Sequence, residues 1–226
     1  MPNTRIEDTL IRGYRQLALA TPGRRPDVLL RALDLVLSGF FLVVALPVSL
    51  SIAGLVLVTS GTPILYRGER VGRSGRIFTM YKFRTLRRGA ELRLGPYLGE
   101  ELVQRTQAEF TPVGRWLKAT QLDEIPQFAN VLRGDMSLVG PRPIRPVFFE
   151  QLAHDLPAYW QRLVVRPGLT GFAQVRRGYE TSMAEKLAHD LEWIEDRSVR
   201  LYLRTVAATG WRVLKQSLRG LVRPDA

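Results

Sequence analysis

One long apolar stretch limits the folds open to this sequence more than any other feature. From Leu35 to Val58 the chain reads LVLSGFFLVVALPVSLSIAGLVLV, 24 positions without a charged residue. A helix needs ~20 residues to cross a hydrocarbon core of ~30 Å. We therefore expect a membrane helix. The alternatives are a buried core helix, although few soluble helices are apolar on every face for this length, and a cleaved signal peptide.

Two details argue against a simple crossing. Pro47 lies in the middle of the stretch, where a proline removes a helical hydrogen bond and kinks or breaks the helix. Both flanks are basic, with arginines up to Arg31 on one side and from Arg67 onward on the other, so the positive-inside rule assigns no direction. We expect a re-entrant helix over residues 28–60, broken at Pro47, that enters and leaves the same leaflet.

Polar residues within and before the stretch fit this expectation. Arg31 and Asp34 are three positions apart, so they share one helical face and can pair near the lipid headgroups. Backbone carbonyls released by Pro47 need donors where there is no water. Ser49 and Ser51 are close enough in sequence to supply them.

Charge narrows the class of ligand. The chain of 226 residues has 33 basic and 21 acidic residues, a net charge of +12, which suits nucleic acid, anionic lipid or a phosphorylated substrate. It has no cysteine, which excludes disulfides and zinc–thiolate sites.

The length of the chain fits one hydrophobic core plus attached segments. We expect a polar N-terminal arm over residues 1–27 and a catalytic domain over residues 61–226.

The part of the chain after the apolar stretch predicts an α+β fold that is mostly helical with short strands. Residues 62–86 alternate like two strands around a glycine-rich turn. Residues 87–110 predict helix or loop. The segment from Met183 to Leu221 predicts basic helices whose aromatic side chains suit a membrane interface; an ordinary amphipathic helix with a solvated face is the alternative.

The densest chemistry lies between Asp123 and Pro143, where the chain reads DEIPQFANVLRGDMSLVGPRP. Asp123 and Glu124 open a predicted helix that ends at Gly134. Adjacent carboxylates repel each other, so both stay ionised only beside a cation, and Mg²⁺ prefers such oxygen ligands. The alternative is that the acids only cap the helix.

Cations on strand ends and stiff loops accompany this acid pair. A guanidinium on a rigid loop suits bidentate recognition of phosphate. The sequence alone leaves open whether they converge and which arginine of the last loop acts. The candidates are Lys82, Lys118, Arg142, Arg166 and the pair Arg176–Arg177.

The order of these segments closely resembles the monotopic phosphoglycosyl transferases, or bacterial sugar transferases, of the small single-domain type. The resemblance covers residues 28–216 and is carried by RALDLVLS, YKFRTL, LDEIPQFANVLRGDMSLVGPRP and VRPGLTGFAQV. It implies a re-entrant helix broken near a proline. It also implies transfer of a sugar 1-phosphate from a UDP-sugar to a polyprenyl (undecaprenyl) phosphate, with Mg²⁺ and release of UMP.

The resemblance also implies roles for residues. Asp123 matches the nucleophile, which forms a covalent phosphosugar-aspartyl intermediate, and Glu124, together with Asp123, would hold Mg²⁺. The basic residues expected to bind substrate phosphates are Lys82, Lys118, Arg142, Arg166 and Arg177.

Three positions depart from the family pattern. Leu46–Pro47 replaces a serine–proline pair, and Lys118 stands where arginine is common. Arg176–Arg177–Gly178 replaces Asn-Gly-Arg, so either arginine could be the functional one.

The expected setting is the cytoplasmic face of a bacterial inner membrane, where the protein would initiate a lipid-linked glycan. Expected partners are a UDP-sugar, polyprenyl phosphate and membrane lipid, with no nucleic acid and a homodimer left open. Two rivals remain. In one, the lipid phosphate attacks directly and Asp123 only binds metal. In the other, the chain is a membrane-anchored basic module without activity. The sugar and the prenyl chain length stay open.

Overall fold

A computed structural model describes residues 26–95, 99–176 and 182–222. Within these ranges the chain is mostly helical with four short strands, which confirms the predicted α+β class. The helices are α1 (Pro26–Val44), α2 (Leu46–Ser60), α3 (Ala90–Leu94), α4 (Gly99–Glu109), α5 (Gly114–Thr120), α6 (Gln127–Arg133), α7 (Pro146–Asp155), α8 (Phe172–Arg176), α9 (Met183–Asp196) and α10 (Val199–Val222). The strands are β1 (Leu65–Val71), β2 (Ile77–Phe83), β3 (Ser137–Val139) and β4 (Gly168–Thr170), and 3₁₀ segments cover Arg73–Gly75, Leu122–Glu124 and Pro157–Val164. The predicted arm lies outside the described residues, apart from its last two positions.

The apolar stretch folds as two helices that meet at an angle of 59°. Ala45 separates α1 from α2, and Pro47 lies in the first turn of α2, where a missing N–H group costs no helical bond. The break therefore falls two residues before the proline. Ser49 Oγ donates to the carbonyl of Ala45 at 2.8 Å, and Ser51 Oγ donates to that of Pro47 at 3.0 Å. Both serines donate locally as predicted, but not to a carbonyl released by Pro47, since the Ala45 carbonyl already accepts the N–H of Ser49 at 2.8 Å.

In the described part of the chain, no single helix has the length and hydropathy to cross a membrane, whereas α1 and α2 together reach both. Their outward faces are strongly apolar. The exposed side chains include Val36, Phe40, Val43, Leu46, Leu50, Leu57 and Val58.

One face of α1 is held against the rest of the fold by a buried carboxylate. Asp34 is 2% exposed. It accepts hydrogen bonds from Ser137 Oγ at 2.9 Å, the backbone N–H of Leu138 at 2.9 Å and the hydroxyl of Tyr202 at 2.7 Å. One side chain therefore joins α1 to β3 and α10.

Arg31 extends this attachment to α6. Its guanidinium donates to the carbonyls of Val131 at 2.7 Å and Leu132 at 3.0 Å and lies 3.9 Å from Asp34. The predicted pair of Arg31 and Asp34 is confirmed. However, both side chains face the folded domain rather than an open headgroup boundary, because the last turn of α6 and the start of β3 supply their partners.

Strands β1 and β2 form the predicted hairpin. The antiparallel register sets Tyr66 opposite Lys82, and Phe78, Met80 and Phe83 enter the core. Lys82 is thereby fixed one residue before the end of β2.

Helix α6 docks on this hairpin through an amide. The helical period of the sequence predicts a core face of Ile125, Phe128, Ala129 and Leu132, and of these Ile125 and Phe128 do pack against the core. The fully buried positions, however, are Gln127, Asn130 and Val131, because Asn130 turns inward to satisfy the hairpin backbone. Its Oδ1 accepts from the N–H of Tyr81 at 3.0 Å, and its Nδ2 donates to the carbonyl of Thr79 at 2.7 Å.

Strands β3 and β4 bring together two loops that are distant in sequence. They pair in parallel. Two further hydrogen bonds join β4 to the loop after β3: the N–H of Gly140 donates to the carbonyl of Thr170, and the N–H of Gly168 donates to the carbonyl of Pro141, both at 2.9 Å. A Cβ on Gly140 would lie 2.5 Å from the carbonyl oxygen of Arg166. The Gly-Pro-Arg-Pro loop therefore rests directly on the Arg-Pro-Gly loop.

We predict that Asp34→Ala lowers the free energy of unfolding by about 3–5 kcal/mol, because it leaves the buried donors of Ser137, Leu138 and Tyr202 without their acceptor and removes the charge that faces Arg31. Glu101→Ala is the control, because it removes only an exposed pair with Arg105 and should cost less than about 0.5 kcal/mol. Denaturant unfolding in detergent measures both. Equal losses would contradict the prediction.

Candidate active site

The acid pair lies on a 3₁₀ turn ahead of α6 rather than inside a helix. Gln121 has a left-handed backbone with φ of 60°, and the turn Leu122–Glu124 follows it. Pro126 occupies the cap position of α6, and no side chain caps that helix in the described structure. The predicted helix start near Asp123 was therefore too early, because the proline is accommodated just before the first turn. Helix capping does not explain the acids.

Two elements far apart in sequence bring cations to Glu124. Lys82 Nζ, from the end of β2, lies 2.6 Å from Glu124 Oε1. Arg142 Nη2, from the Gly-Pro-Arg-Pro loop, lies 3.4 Å from the same oxygen.

Asp123 lies beside the same cluster and is 2% exposed. Its Oδ2 lies 3.9 Å from Lys82 Nζ and 4.0 Å from Lys118 Nζ, while its buried Oδ1 finds no hydrogen-bond partner among the described residues. Each buried carboxylate oxygen ordinarily has a partner. Asp123 therefore carries one carboxylate oxygen whose bonding is not used up by the fold, which leaves this side chain a candidate to bind or to react.

The pKa values of the two acids are shifted in opposite directions. Burial raises the pKa of Asp123 above its ordinary 3.8, and Lys82 and Lys118 only partly offset this. Burial also acts to raise the pKa of Glu124, but Lys82 and Arg142 outweigh it and bring that pKa to about 2. Burial lowers the pKa of Lys82, and the neighbouring cations Arg142 and Lys118 add to this. The neighbouring cations thus keep Glu124 ionised, whereas burial opposes the ionisation of Asp123.

A cavity of about 1420 Å³ opens onto this cluster. Lys82, Lys118, Asp123 and Arg142 line one part of it, and apolar residues of α1 and α2 line another. It is large for a small-molecule site, since such pockets usually span about 300–1,000 Å³. The apolar part is formed by Leu42, Leu50, Ala53, Ile64 and Leu65, and further arginines are Arg67, Arg70, Arg84, Arg87, Arg88 and Arg145.

Arg142 owes its position to a buried arginine that the sequence analysis missed. Arg162 is 8% exposed. Its Nη2 donates to the carbonyl of Arg142 at 2.9 Å, its Nε donates to Asp190 at 2.9 Å, and its Nη1 donates to the hydroxyl of Tyr159. Nothing in the sequence around Arg162 indicates that it is buried, because both Asp190 and the Arg142 carbonyl reach it through tertiary packing.

Two of the other predicted arginines, Arg166 and Arg176, lie apart from the cations around Asp123 and Glu124. Arg166 donates to the carbonyl of Gly134 at 2.9 Å and lines a separate cavity of about 50 Å³. Arg176 pairs with Glu192 at 2.9 Å and covers the ring of Phe172. Arg177 lies outside the described residues, so its role in substrate binding stays a prediction.

The carboxylates of Asp123 and Glu124 suit a hard cation such as Mg²⁺, but they do not form a complete metal site by themselves. Among the described residues no group of three or more acidic or histidine side chains could hold a metal. Mg²⁺ is often held by one or two carboxylates together with substrate phosphates. The orphaned Oδ1 of Asp123 and the adjacent carboxylate of Glu124 fit that arrangement.

Comparison with known proteins assigns the chain to a family. The family model described as bacterial sugar transferase matches residues 25–216. The chain belongs to the bacterial sugar transferase family. This confirms the resemblance drawn from the sequence and the classification as an enzyme of that family.

Curated relatives share the matched region. One from Aeromonas hydrophila, a UDP-N-acetylgalactosamine-undecaprenyl-phosphate N-acetylgalactosaminephosphotransferase, is 35% identical over 79% of this chain and 42% of its own length. A UDP-glucose:undecaprenyl-phosphate glucose-1-phosphate transferase from Caulobacter vibrioides is 38% identical over 80% of this chain and 69% of its own. An Escherichia coli protein of the same name is 37% identical over 80% of this chain and 39% of its own. The chain thus spans less than half of two of these relatives.

We predict that Arg162→Met lowers the free energy of unfolding by about 3–5 kcal/mol, because it leaves Asp190 buried without its partner. Glu192→Gln is the control. It removes the exposed ion pair between Arg176 and Glu192, on the same helix as Asp190, and should cost less than about 1 kcal/mol. Denaturant titration compares the two. If the costs were equal, the Arg162 pair would not brace the loop.

Proposed function

We propose that the chain transfers a sugar 1-phosphate from a UDP-sugar to a polyprenyl phosphate through a covalent intermediate on Asp123, and so starts the assembly of a lipid-linked glycan. The observation that carries this is the buried Oδ1 of Asp123, which has no hydrogen-bond partner among the described residues and belongs to a side chain that lines a cation-rich cavity. The names of the relatives support the same chemistry, because each joins a UDP-sugar, undecaprenyl phosphate and the transfer of a sugar phosphate.

In the first step, a carboxylate oxygen of Asp123 attacks the phosphorus nearest the sugar. The bond between that phosphorus and the bridging oxygen of the diphosphate breaks, and UMP leaves with the electron pair. The sugar phosphate is then an acyl phosphate on Asp123. Lys82, Lys118 and Arg142 neutralise phosphate oxygens as charge moves towards UMP, since phosphoryl transfer depends mainly on positioning and electrostatics.

In the second step, an oxygen of the polyprenyl phosphate attacks the same phosphorus. The bond to Asp123 breaks and restores the carboxylate, and the product is a polyprenyl diphosphate sugar. Two successive displacements let both substrates use one set of cations in turn. The apolar part of the cavity, formed by α1 and α2, suits the first isoprene units of the acceptor.

Glu124 is suited to hold Mg²⁺ together with Asp123 because it stays ionised. When bound, the metal would supply charge that offsets the diphosphate oxygens. The residues themselves position the donor, and Arg162 keeps the Arg142 loop in place.

The membrane setting is part of the proposal. The angle between α1 and α2, their outward apolar faces and the attachment of α1 to the domain suit a re-entrant pair in one leaflet, at the cytoplasmic face of the inner membrane. Exposed Trp211 and Leu214 on α10, beside Lys215, suit contact with headgroups. A homodimer would be compatible with this arrangement.

We predict that Asp123→Asn lowers UMP release by about 10³-fold or more, because the amide is a poor nucleophile. The assay combines a panel of UDP-sugars with undecaprenyl phosphate and Mg²⁺. Asp155→Asn, which alters an exposed carboxylate on α7, should keep wild-type turnover. Near-normal turnover of Asp123→Asn would remove Asp123 as nucleophile and favour direct attack by the lipid phosphate. Tight binding of acidic lipid with no turnover in the wild type would favour a non-enzymatic module.

We predict a pH dependence set by Asp123, which attacks only when ionised. Because burial raises its pKa, UMP release should fall with decreasing pH through a midpoint above 3.8. Lys118 opposes this rise, so Lys118→Met should move the midpoint to higher pH. Lys215→Met is the control, and a pH–rate profile at constant Mg²⁺ measures both. An unmoved midpoint in Lys118→Met would count against this role for Asp123.

We predict that both flanks of the apolar pair are on the cytoplasmic side. The absence of cysteine allows Arg25→Cys and Arg76→Cys to be labelled singly. An impermeant maleimide should react with both in inverted vesicles and with neither in intact spheroplasts. Labelling from opposite sides would show a single crossing instead.

A further inference from the structure

One carboxylate among the many cations that line the cavity has no role in the proposed reaction. Among the described residues that line it, two are carboxylates, Asp123 and Glu91. The cations are Arg67, Arg70, Lys82, Arg84, Arg87, Arg88, Lys118, Arg142 and Arg145. A cavity suited to phosphates has no electrostatic use for a second carboxylate, because it repels them. Glu91 therefore calls for a separate explanation.

Glu91 is held in a fixed position. The hydroxyl of Tyr66 donates to both of its carboxylate oxygens, at 2.9 and 3.0 Å, and Arg145 Nε lies 3.0 Å from Oε1. Arg70 in turn donates to the Tyr66 hydroxyl at 3.4 Å. The Glu91 side chain keeps 39% of its surface exposed and that of Arg145 keeps 23%, so both remain accessible from the cavity.

This group is built on the same hairpin and the same loop as the reacting centre. Tyr66 is directly opposite Lys82, and its hydroxyl extends along the strand to lie over Gly68, which faces Met80. Arg145 follows Arg142 by three residues on the proline-stiffened loop. Glu91 lines the same cavity as Lys82 and Arg142, so a nucleotide sugar whose diphosphate contacts those two cations would have hydroxyl-bearing rings in the part of the cavity that Glu91 borders.

A fixed carboxylate next to a guanidinium matches vicinal hydroxyl groups. An ionised carboxylate is an acceptor with room for about four hydrogen bonds, and hydroxyl groups are the donors that a nucleotide sugar offers. The Arg145 guanidinium can donate to a neighbouring hydroxyl oxygen. Hydrogen bonds to charged groups are stronger than those between neutral groups.

We propose that Glu91, positioned by Tyr66 and Arg145, binds vicinal hydroxyl groups of the nucleotide-sugar donor. The inference rests on the proposed function, which supplies the donor. The diol belongs either to the ribose or to the transferred sugar, because both carry the same chemistry on either side of the diphosphate. The competing explanation is a purely structural link between α3 and the hairpin.

The test uses Glu91→Gln, which keeps the size of the side chain and removes its charge, and Tyr66→Phe, which removes only the positioning hydroxyl. Steady-state kinetics give KM separately for the UDP-sugar and for undecaprenyl phosphate. We expect the donor KM to rise about tenfold or more in Glu91→Gln, and to a smaller extent in Tyr66→Phe, with the acceptor KM unchanged. Glu101→Gln, which alters the exposed pair with Arg105 outside the cavity, should leave both constants unchanged.

Two further measurements identify the diol. If it is the ribose, inhibition by UMP weakens by the same factor as donor binding. If it is the transferred sugar, inhibition by UMP is unchanged, and the preference between UDP-sugars that differ at one hydroxyl is reduced.

An unchanged donor KM in both variants, or a rise in the acceptor KM alone, would overturn the proposal. So would a loss of melting temperature in both variants without any change in donor KM, because that result identifies a structural link. Failure of the wild-type protein to use any UDP-sugar would instead refute the proposed function.

Discussion

Two adjacent carboxylates in a buried site stay ionised only if cations lie against them, and most of the fold serves to deliver those cations. Lys82 comes from the end of the β1–β2 hairpin, Lys118 comes from α5, and Arg142 comes from the loop after β3. Asn130 holds α6 to the hairpin through two backbone contacts, so the turn that carries the acids stays in register with Lys82. Three cations around two acids leave a net positive charge, which favours phosphate.

A second pair of charged side chains attaches the apolar helices to the part of the fold that carries the acids. Asp34 and Arg31 fix α1 to β3, α10 and the last turn of α6. The acid pair precedes the first turn of α6, so the apolar pair and the acids are attached to one helix. A lipid phosphate guided along α1 and α2 would therefore arrive at a fixed position relative to Asp123.

Local chemistry explains which features could be predicted from the sequence. Pro47 breaks the apolar stretch, Gly134 ends α6 with a left-handed φ of 88°, and alternation places Lys82 near the end of a strand. Each of these depends on residues next to it in the chain. The approach of Lys82, Lys118 and Arg142 to the acids depends on tertiary packing, and the sequence pattern could only suggest it.

Residues whose burial depends on distant partners could not be predicted. Arg162 is buried because Asp190 and the carbonyl of Arg142 meet it from two other elements. Asn130 turns inward because two backbone groups of the hairpin need partners. Arg166 shares the loop chemistry of Arg142, yet it donates to Gly134, since β3 and β4 direct the two loops to different neighbours.

The central claim is that Asp123 forms a bond to phosphorus, and mass spectrometry of the protein tests it most directly. The enzyme is incubated with a UDP-sugar in the absence of polyprenyl phosphate, quenched and digested. The account predicts one equivalent of UMP and a peptide containing Asp123 that is heavier by one sugar phosphate. That added mass should disappear when the acceptor lipid is supplied. An unmodified peptide under conditions where the same preparation turns over with both substrates would contradict the account.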